Sequence, residues 1–597
     1  MRADEIRNDD RGWTYNLALF RVFFLAGLLP FAIDNANWMA RILPTITPAL
    51  WDPVSFYRYV PLELLRNAGL AHALALANVG LIVMALLGIF TRASLAGATV
   101  LSLYLFGLPQ NMGKLHHYHH LVWFLAILAA GPSGRALSID ALVRSVRSAD
   151  RGEIEPPFPR GTALLTLRFA WLLIGLLYLA PGLAKLESAV TSGWASAENL
   201  RHIMWRKWLE GTLFGTVEAT GWRADLLPDG ILTLGGLGVI AFEIGFVALV
   251  LFRKARPFVA TAGVVFHVGN HLVLSIGFEH LVVAYVSLID WTSMGRSARE
   301  HVKILYDDGC RMCRRTISVV RALDVWRILE PIPGAGGDPR RLRYPQITDE
   351  MLAHDLFAIR EDRIVGGYNA YVLITSRMPL LWPAALVMRL APVSTVGRSI
   401  YRRVADSRSC RVAAPATRPT PPASPRLRAI TVVGVLLLTL QAVTSVWMLA
   451  YNLADVHLDP RHPVRERLTA GVWRRPVWPF DLYPTFASIE EQEQDVWEAR
   501  VVSGSGRESR IPGGVYAAAV GNPSRSRSVA ALIRIEQSEE RHRDRSRDLV
   551  RVLWRHLPPE LRDGAVSVRV YDVRYRIGVE PVMVAERLRH DLARPVL

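Results

Sequence analysis

The sequence predicts a mainly α, polytopic membrane helical bundle that carries two small α/β domains. Three observations predict it. Apolar runs near the ~20 residues needed to cross a bilayer recur through the first half of the chain, and once more after residue 428. Of the 597 residues 51% are hydrophobic and only 21% charged, which excludes a disordered, collagenous or disulfide-knotted chain. Two stretches, 301–410 and 452–597, instead mix short β-prone runs with helical ones.

The predicted spans are 14–33, 68–90, 95–109, 118–131, 163–185, 229–252, 257–276, 280–293 and 429–451. Several are short, which predicts tilted or half-buried helices. The first carries Arg21 and lacks a small-residue cleavage site, so it reads as a retained span and not as a signal peptide. The last, Ala429–Tyr451, is free of charge and follows Arg426 and Arg428. The organisation expected is a membrane domain over 1–296, an α/β domain over 301–410, a Pro-rich linker over 411–428, a single span over 429–451 and a C-terminal domain over 452–597. In that last domain, Gly514–Val520, Val529–Ile535 and Val566–Val573 read as strands and Ser546–His556 as a helix.

Charge orients the chain. Arg135, Arg144, Arg147, Arg151 and Arg160 follow the fourth span; Arg253, Lys254 and Arg256 follow the sixth; Arg296, Arg299 and Lys303 follow the eighth. Basic loops stay cytoplasmic. The expectation is a multi-pass protein of an inner (plasma) membrane, with the N-terminus and 301–428 cytoplasmic and 452–597 extracytoplasmic. The outward loop 186–228 is itself basic (Arg201, Arg206, Lys207, Arg223), against the rule, and its Trp and Leu content predicts a re-entrant or interfacial piece. The net charge of +17 comes with no nucleic-acid-binding motif, so the expected partner is the lipid bilayer and no nucleic acid.

All three cysteines, Cys310, Cys313 and Cys410, fall in one soluble stretch, which excludes a structural disulfide framework. Val302–Tyr306 is β-prone and Arg314–Leu323 reads as a helix, so Cys310-Arg311-Met312-Cys313 sits where a strand turns into a helix N-terminus. The free amides and dipole there stabilise a thiolate on Cys310, and Cys313, one turn on, resolves a mixed disulfide. Asp307 opposes the positive potential of Arg311 and Arg314, or relays a proton. Half of a zinc site is the other reading; it lacks two nearby ligands, so no metal is expected. The strand–C-x-x-C–helix context favours a thioredoxin-like α/β domain with a redox-active dithiol.

Tyr306-Asp307-x-x-Cys310-x-x-Cys313, Gly366-Gly367-Tyr368-Asn369-Ala370, the apolar helix near Pro379–Arg389 and Tyr401-Arg402-x-x-Ala405-x-x-Arg408-x-Cys410 together resemble the DCC family of thiol–disulfide oxidoreductases. The family's usual Asp-Gly-x-Cys is Asp-Asp-Gly-Cys here. The resemblance implies disulfide exchange at Cys310 and Cys313 beside Asp307, with a thiol or disulfide protein as partner.

Ionisable side chains at membrane depth are costly and mark functional sites. Arg21, Lys185, Glu243, His267 with Asn270 and His271, and the His116–His120 cluster qualify. Each also has a structural reading: Lys185 and Arg21 snorkel, Arg21 pairs with Glu243, or the histidines sit in an exposed loop. Together they predict one polar cavity near the outer face. A lysine desolvated there loses its proton more readily and can act as a base, which arginine cannot.

Leu19-Phe20-Arg21, Pro132-Ser133-Gly134-Arg135-Ala136-Leu137-Ser138-Ile139-Asp140, Ala180-Pro181-Gly182-Leu183-Ala184-Lys185-Leu186 and Phe266-His267-x-x-Asn270 resemble the HTTM superfamily, which includes the vitamin K-dependent γ-carboxylases. The resemblance covers 10–295. It implies that Lys185 is the base acting on a vitamin K-like hydroquinone, with His119 or His120 at the position of a carboxylase histidine. A second lysine usual in that segment is Ala184 here. The carboxylases' large luminal peptide-binding region has no recognisable counterpart. Two functional readings follow: a membrane thiol–disulfide oxidoreductase coupled to a membrane domain acting on a quinone or lipid-like substrate (Lys185 catalytic; His119, His120, His267, Asn270, Glu243 and Arg21 binding), or a non-enzymatic scaffold for peptide binding or export under redox control.

Overall fold

The computed structural model describes residues 10–112, 118–152, 161–215, 223–274, 277–297, 301–334, 338–361, 363–407, 425–457, 463–464, 478, 480, 490–521 and 523–595. Cys410, His116, His117 and all but the end of the Pro-rich linker lie outside them.

Helix α1 (Asp10–Arg41) continues through Pro30 and, at 1.5 Å per residue, is about 48 Å long. Helices α2 (Ala68–Leu87) and α3 (Thr91–Leu105) follow, α2 starting on Asn67, whose side chain accepts from the Leu70 N–H. Next come α4 (His119–Ala130) and α5 (Ile139–Asp150), the latter capped by Ser138. Gly88 closes α2 at φ 73, and a Cβ there would lie 2.1 Å from that of Ser138, so only glycine lets the α2–α3 turn rest on the start of α5. Helices α6 (Thr162–Ser192), α7 (Ala197–Phe214), α8 (Asp229–Leu249) and α9 (Arg256–Leu274) complete the long helices of the membrane domain.

Including the helix at 425–457 described below, seven helices among the described residues are long and apolar enough to cross a bilayer, making this a multi-pass membrane protein. Two predicted spans differ. The one at 118–131 is α4, a shorter apolar helix of 12 residues closed by Gly131 and Pro132. The one at 280–293 is broken into α10 (Glu279–Ala284), a 3-10 turn (Tyr285–Leu288) and α11 (Trp291–Ser297). The break has a local cause. Ile289 is extended, and the Asp290 carboxylate restarts the helix by accepting from the Ser293 N–H (3.2 Å), while also taking bonds from Asn16 (2.9 Å) and Arg253 (2.8 Å).

Residues 302–406 form a thioredoxin-like α/β unit. Strands β1 (Val302–Tyr306) and β2 (Leu329–Pro333) are parallel, so a crossover must join them, and α12 (Arg311–Leu323) is that crossover. Strands β3 (Phe357–Arg360) and β4 (Arg363–Gly366) add antiparallel, giving the order β2-β1-β3-β4. Helices α13 (Gly367–Thr375), α14 (Trp382–Arg389) and α15 (Ala391–Asp406) follow. Helix α16 (Pro425–His457), which extends the predicted 429–451 span at both ends, packs Ile430 and Leu437 on Phe169 and Leu173 of α6 and Trp123 of α4.

The C-terminal domain is also α/β. Strands β5 (Glu493–Ser503), β6 (Glu508–Arg510), β7 (Ala565–Arg576) and β8 (Val582–Ala593) form an antiparallel sheet in the order β6-β5-β7-β8. Gly514–Val520 and Val529–Ile535 are not strands. They fall, but for Ile535, in helices α17 (Gly513–Val520) and α18 (Pro523–Arg534), which with α19 (Glu539–Trp554) share a core with Trp497, Val568 and Val570. Short continuous apolar runs do not separate strand from buried helix, and alanine decides these two for helix.

Helix α1 touches both soluble domains. The Tyr15 hydroxyl donates to the Arg321 carbonyl of α12 (2.7 Å), and the Trp38 indole N–H donates to the Val520 carbonyl of α17 (3.0 Å).

Candidate functional site

A cavity of about 510 Å³ lies among α6, α7, α8 and α9, with α4 and α16 at its edge. Its walls are mostly apolar. Its polar side chains include His119, His120, Lys185, Glu243, His267, Asn270 and Gln441.

Lys185 and Glu243 are both buried, and the ammonium donates to both carboxylate oxygens, at 2.7 and 2.8 Å. Gly182 permits this pair. A Cβ there would lie 2.9 Å from the Cβ of Glu243, so α6 and α8 approach closely one turn before the lysine. Trp194 presents its ring to Nζ at 5.7 Å. The amine is therefore not the lone desolvated base that its apolar neighbours suggest. It is half of a buried ion pair.

A second cluster sits beside it. His267 Nε2 is 2.6 Å from the Tyr178 hydroxyl and 3.1 Å from that of Tyr285, and the two hydroxyls bond each other. His267 Nδ1 is buried with no hydrogen-bond partner among the described residues, as is Oε1 of the fully buried Gln441. His119 and His120 are buried, their rings against Trp123 and Phe124. Asn270 is half-buried on the same wall. Arg21 is not brought to the cavity. Its fully buried guanidinium holds the carbonyls of Ser133 (2.9 Å) and Leu137 (2.5 Å) at the turn before α5.

Sequence reasoning missed Tyr178, Tyr285 and Gln441 as cavity groups. For Tyr178 a signal existed, since it lies two helical turns before Lys185 on one face of α6. Gln441 is an amide within a span otherwise free of charge, where a polar side chain seeks an interhelical partner.

The cysteines lie elsewhere. Cys310 is the N-cap of α12 and Cys313 falls in its first turn; both are buried and not joined by a disulfide. The Asp307 carboxylate accepts from the Gly309 N–H (2.9 Å) and its carbonyl from the Cys310 N–H (3.3 Å), so this residue shapes the turn that presents the thiol. Arg314 donates to the carbonyls of Asp308 (2.5 Å) and Gly309 (3.1 Å) and to that of Ala149 in α5 (3.1 Å). Behind the motif, burial pushes the Tyr306 phenol well above its usual range, helped by Asp308, and its hydroxyl has no hydrogen-bond partner among the described residues.

Helix α12 is docked on α5. Arg315 and Arg311 grip Asp150 at 2.6 and 2.8 Å, and Ser318 donates to the Ser145 carbonyl (2.9 Å). Hydrogen bonds from Arg315 and Arg311 hold the Asp150 carboxyl well below the usual carboxylate range.

A family model for the HTTM domain matches residues 14–291, and one for the DCC1-like thiol-disulfide oxidoreductase matches residues 304–411. Neither a curated protein nor a solved structure shows significant similarity to the chain.

Proposed function

We propose that this chain, an HTTM domain continuous with a DCC1-like thiol-disulfide oxidoreductase domain, is a membrane-bound dithiol–disulfide oxidoreductase whose membrane domain takes up a quinone- or lipid-like molecule. The observation that carries the membrane half is the convergence of Lys185, Glu243, His267 and Asn270 on one apolar cavity. A scaffold would leave such groups scattered.

In the redox domain, the Cys310 thiolate attacks a partner's disulfide, forming a mixed disulfide and releasing one partner thiol. Cys313 then attacks the Cys310 sulfur, closing the Cys310–Cys313 disulfide and releasing the second thiol. Two electrons and two protons pass to the partner, and a separate protein dithiol restores the pair. Asp307 acts as a positioning residue for the turn.

In the cavity the ion pair divides the work assigned to Lys185 alone. A Glu243 oxygen accepts a proton from an acidic hydroxyl of the bound molecule, and the Lys185 ammonium lies beside the oxygen left behind. The free Nδ1 of His267 and the Gln441 amide offer polar contacts to the rest of the head group.

The test uses the full chain. Cys310→Ser should abolish reduction of a small aromatic disulfide, while Cys313→Ser should accumulate mixed disulfide. Stoichiometric zinc without exchange sinks the redox reading. Mass spectrometry of the purified protein should find a quinone or lipid retained by the wild type and depleted in Glu243→Gln. Equal retention in both argues against the cavity as its site.

A further inference from the structure

The redox domain carries an apolar surface that its own fold does not use. Helices α14 and α15 touch the rest of the domain along a narrow line, with Ala385, Ser394 and Ala405 buried and the Tyr368 hydroxyl donating to the Met388 carbonyl (2.9 Å). On the other side Leu386 is 65% exposed, Leu390 57%, Val396 58% and Ile400 56%. A soluble domain rarely leaves so continuous a patch uncovered.

Charge names the occupant. From Arg363 to Ala405 the chain holds six arginines and no Asp or Glu. Four of the six, Arg389, Arg398, Arg402 and Arg403, belong to α14 and α15 and are exposed. An apolar face whose margin holds four exposed arginines against one exposed acid, Asp406 at the end of α15, matches the anionic surface of a lipid leaflet. It does not match itself, because a second copy would set arginine margins against each other. The tethers agree. Strand β1 begins at Val302, shortly after α11 ends at Ser297, and the bilayer-crossing α16 begins at Pro425, soon after α15 ends at Asp406. The hairpin does not itself cross, because α13, which precedes it, buries Gly367, Ala370 and Ile374 in the domain core.

We propose that the α14–α15 hairpin beds in the headgroup–acyl boundary of the leaflet beneath the redox domain, its arginines on anionic lipid phosphates. Met378 and Leu381, which lead into α14, share the core cluster that contains Cys310 and Cys313, so seating the hairpin also fixes one wall of the thiol site at the membrane surface.

The experiment is photo-cross-linking of the full chain in vesicles of phosphatidylglycerol and phosphatidylcholine. A benzophenone amino acid replaces Leu386 or Val396, with Leu342, 81% exposed elsewhere on the domain, as control. Lipid adducts should form several-fold more at Leu386 and Val396 than at Leu342, and should fall several-fold in pure phosphatidylcholine. Cross-links to a second protein chain, or yields equal to the control, overturn the proposal. A nitroxide at Ile400 reads the same point independently: greater accessibility to oxygen than to a water-soluble nickel chelate supports seating, and the reverse overturns it.

Discussion

Lys185 and Glu243 show how far single residues can be read. Each stands out in the sequence as a charge at membrane depth, but which charge meets which depends on helix register, and that is invisible without contacts. Arg21 is an equally plausible partner for Glu243 on paper, yet it is spent on the Ser133 and Leu137 carbonyls. The pairing makes a stability prediction. Lys185→Met leaves a carboxylate buried without its cation and should destabilise by about 3–5 kcal/mol. Adding Glu243→Gln should recover most of that loss. Thermal unfolding of both variants in detergent checks it, and a double variant no more stable than the single one removes the coupling. Tyr306 makes the opposite case. Its buried hydroxyl has no hydrogen-bond partner among the described residues, so Tyr306→Phe should leave stability within about 1 kcal/mol of wild type. If the hydroxyl serves a sulfur during exchange, the same change should slow disulfide reduction; a loss of stability instead would mean that the phenol has a structural bond.

At the scale of elements, the strand–C-x-x-C–helix unit was legible because period and composition agree locally. Helices α17 and α18 were not, because their apolar runs are short and buried on several sides. The docking of α12 on α5 was illegible for another reason: Asp150 and Arg315 are ordinary surface charges until two domains meet. That clamp has a definite response to conditions. Asp150 has a depressed value in the folded state, so its contribution is complete above its unfolded value and is lost only as pH falls through the folded one. Between about pH 5 and 8 the clamp should therefore ignore pH. It should respond to salt, because the Arg311 and Arg315 side chains are 66% and 40% exposed. Ser145→Cys with Ser318→Cys, in a background without the native cysteines, reports on it. Cross-linking should slow as ionic strength rises. A rate that does not respond to salt at fixed pH would contradict the clamp.

At the scale of the molecule, α1 serves as a ruler. Tyr15 binds the redox domain and Trp38 binds the C-terminal domain, and the helix between them covers about 35 Å, enough for a bilayer's hydrocarbon core. The two soluble domains thus sit at opposite ends of a spanning helix, joined by one crossing, α16. The basic loop 186–228, which opposed the charge rule, is largely neutralised: Arg201 pairs with Asp229, Arg206 with Glu490, Lys207 with Glu210 and Arg223 with Asp225. Its charges therefore compete weakly with Arg135, Arg144, Arg147 and Arg151 at the other end, and the redox domain should face the cytoplasm. Cys310 is too buried to report this by labelling. Exposed positions are better, so we choose Leu342→Cys in the redox domain and Val579→Cys in the C-terminal domain, each without the native cysteines. A membrane-impermeant maleimide should label Val579→Cys in intact spheroplasts and Leu342→Cys only after permeabilisation. The reverse pattern would invert the orientation while keeping the domains apart; labelling of both before permeabilisation would mean that α1 does not span, and the placement of the cavity and the dithiol at opposite faces would fall with it.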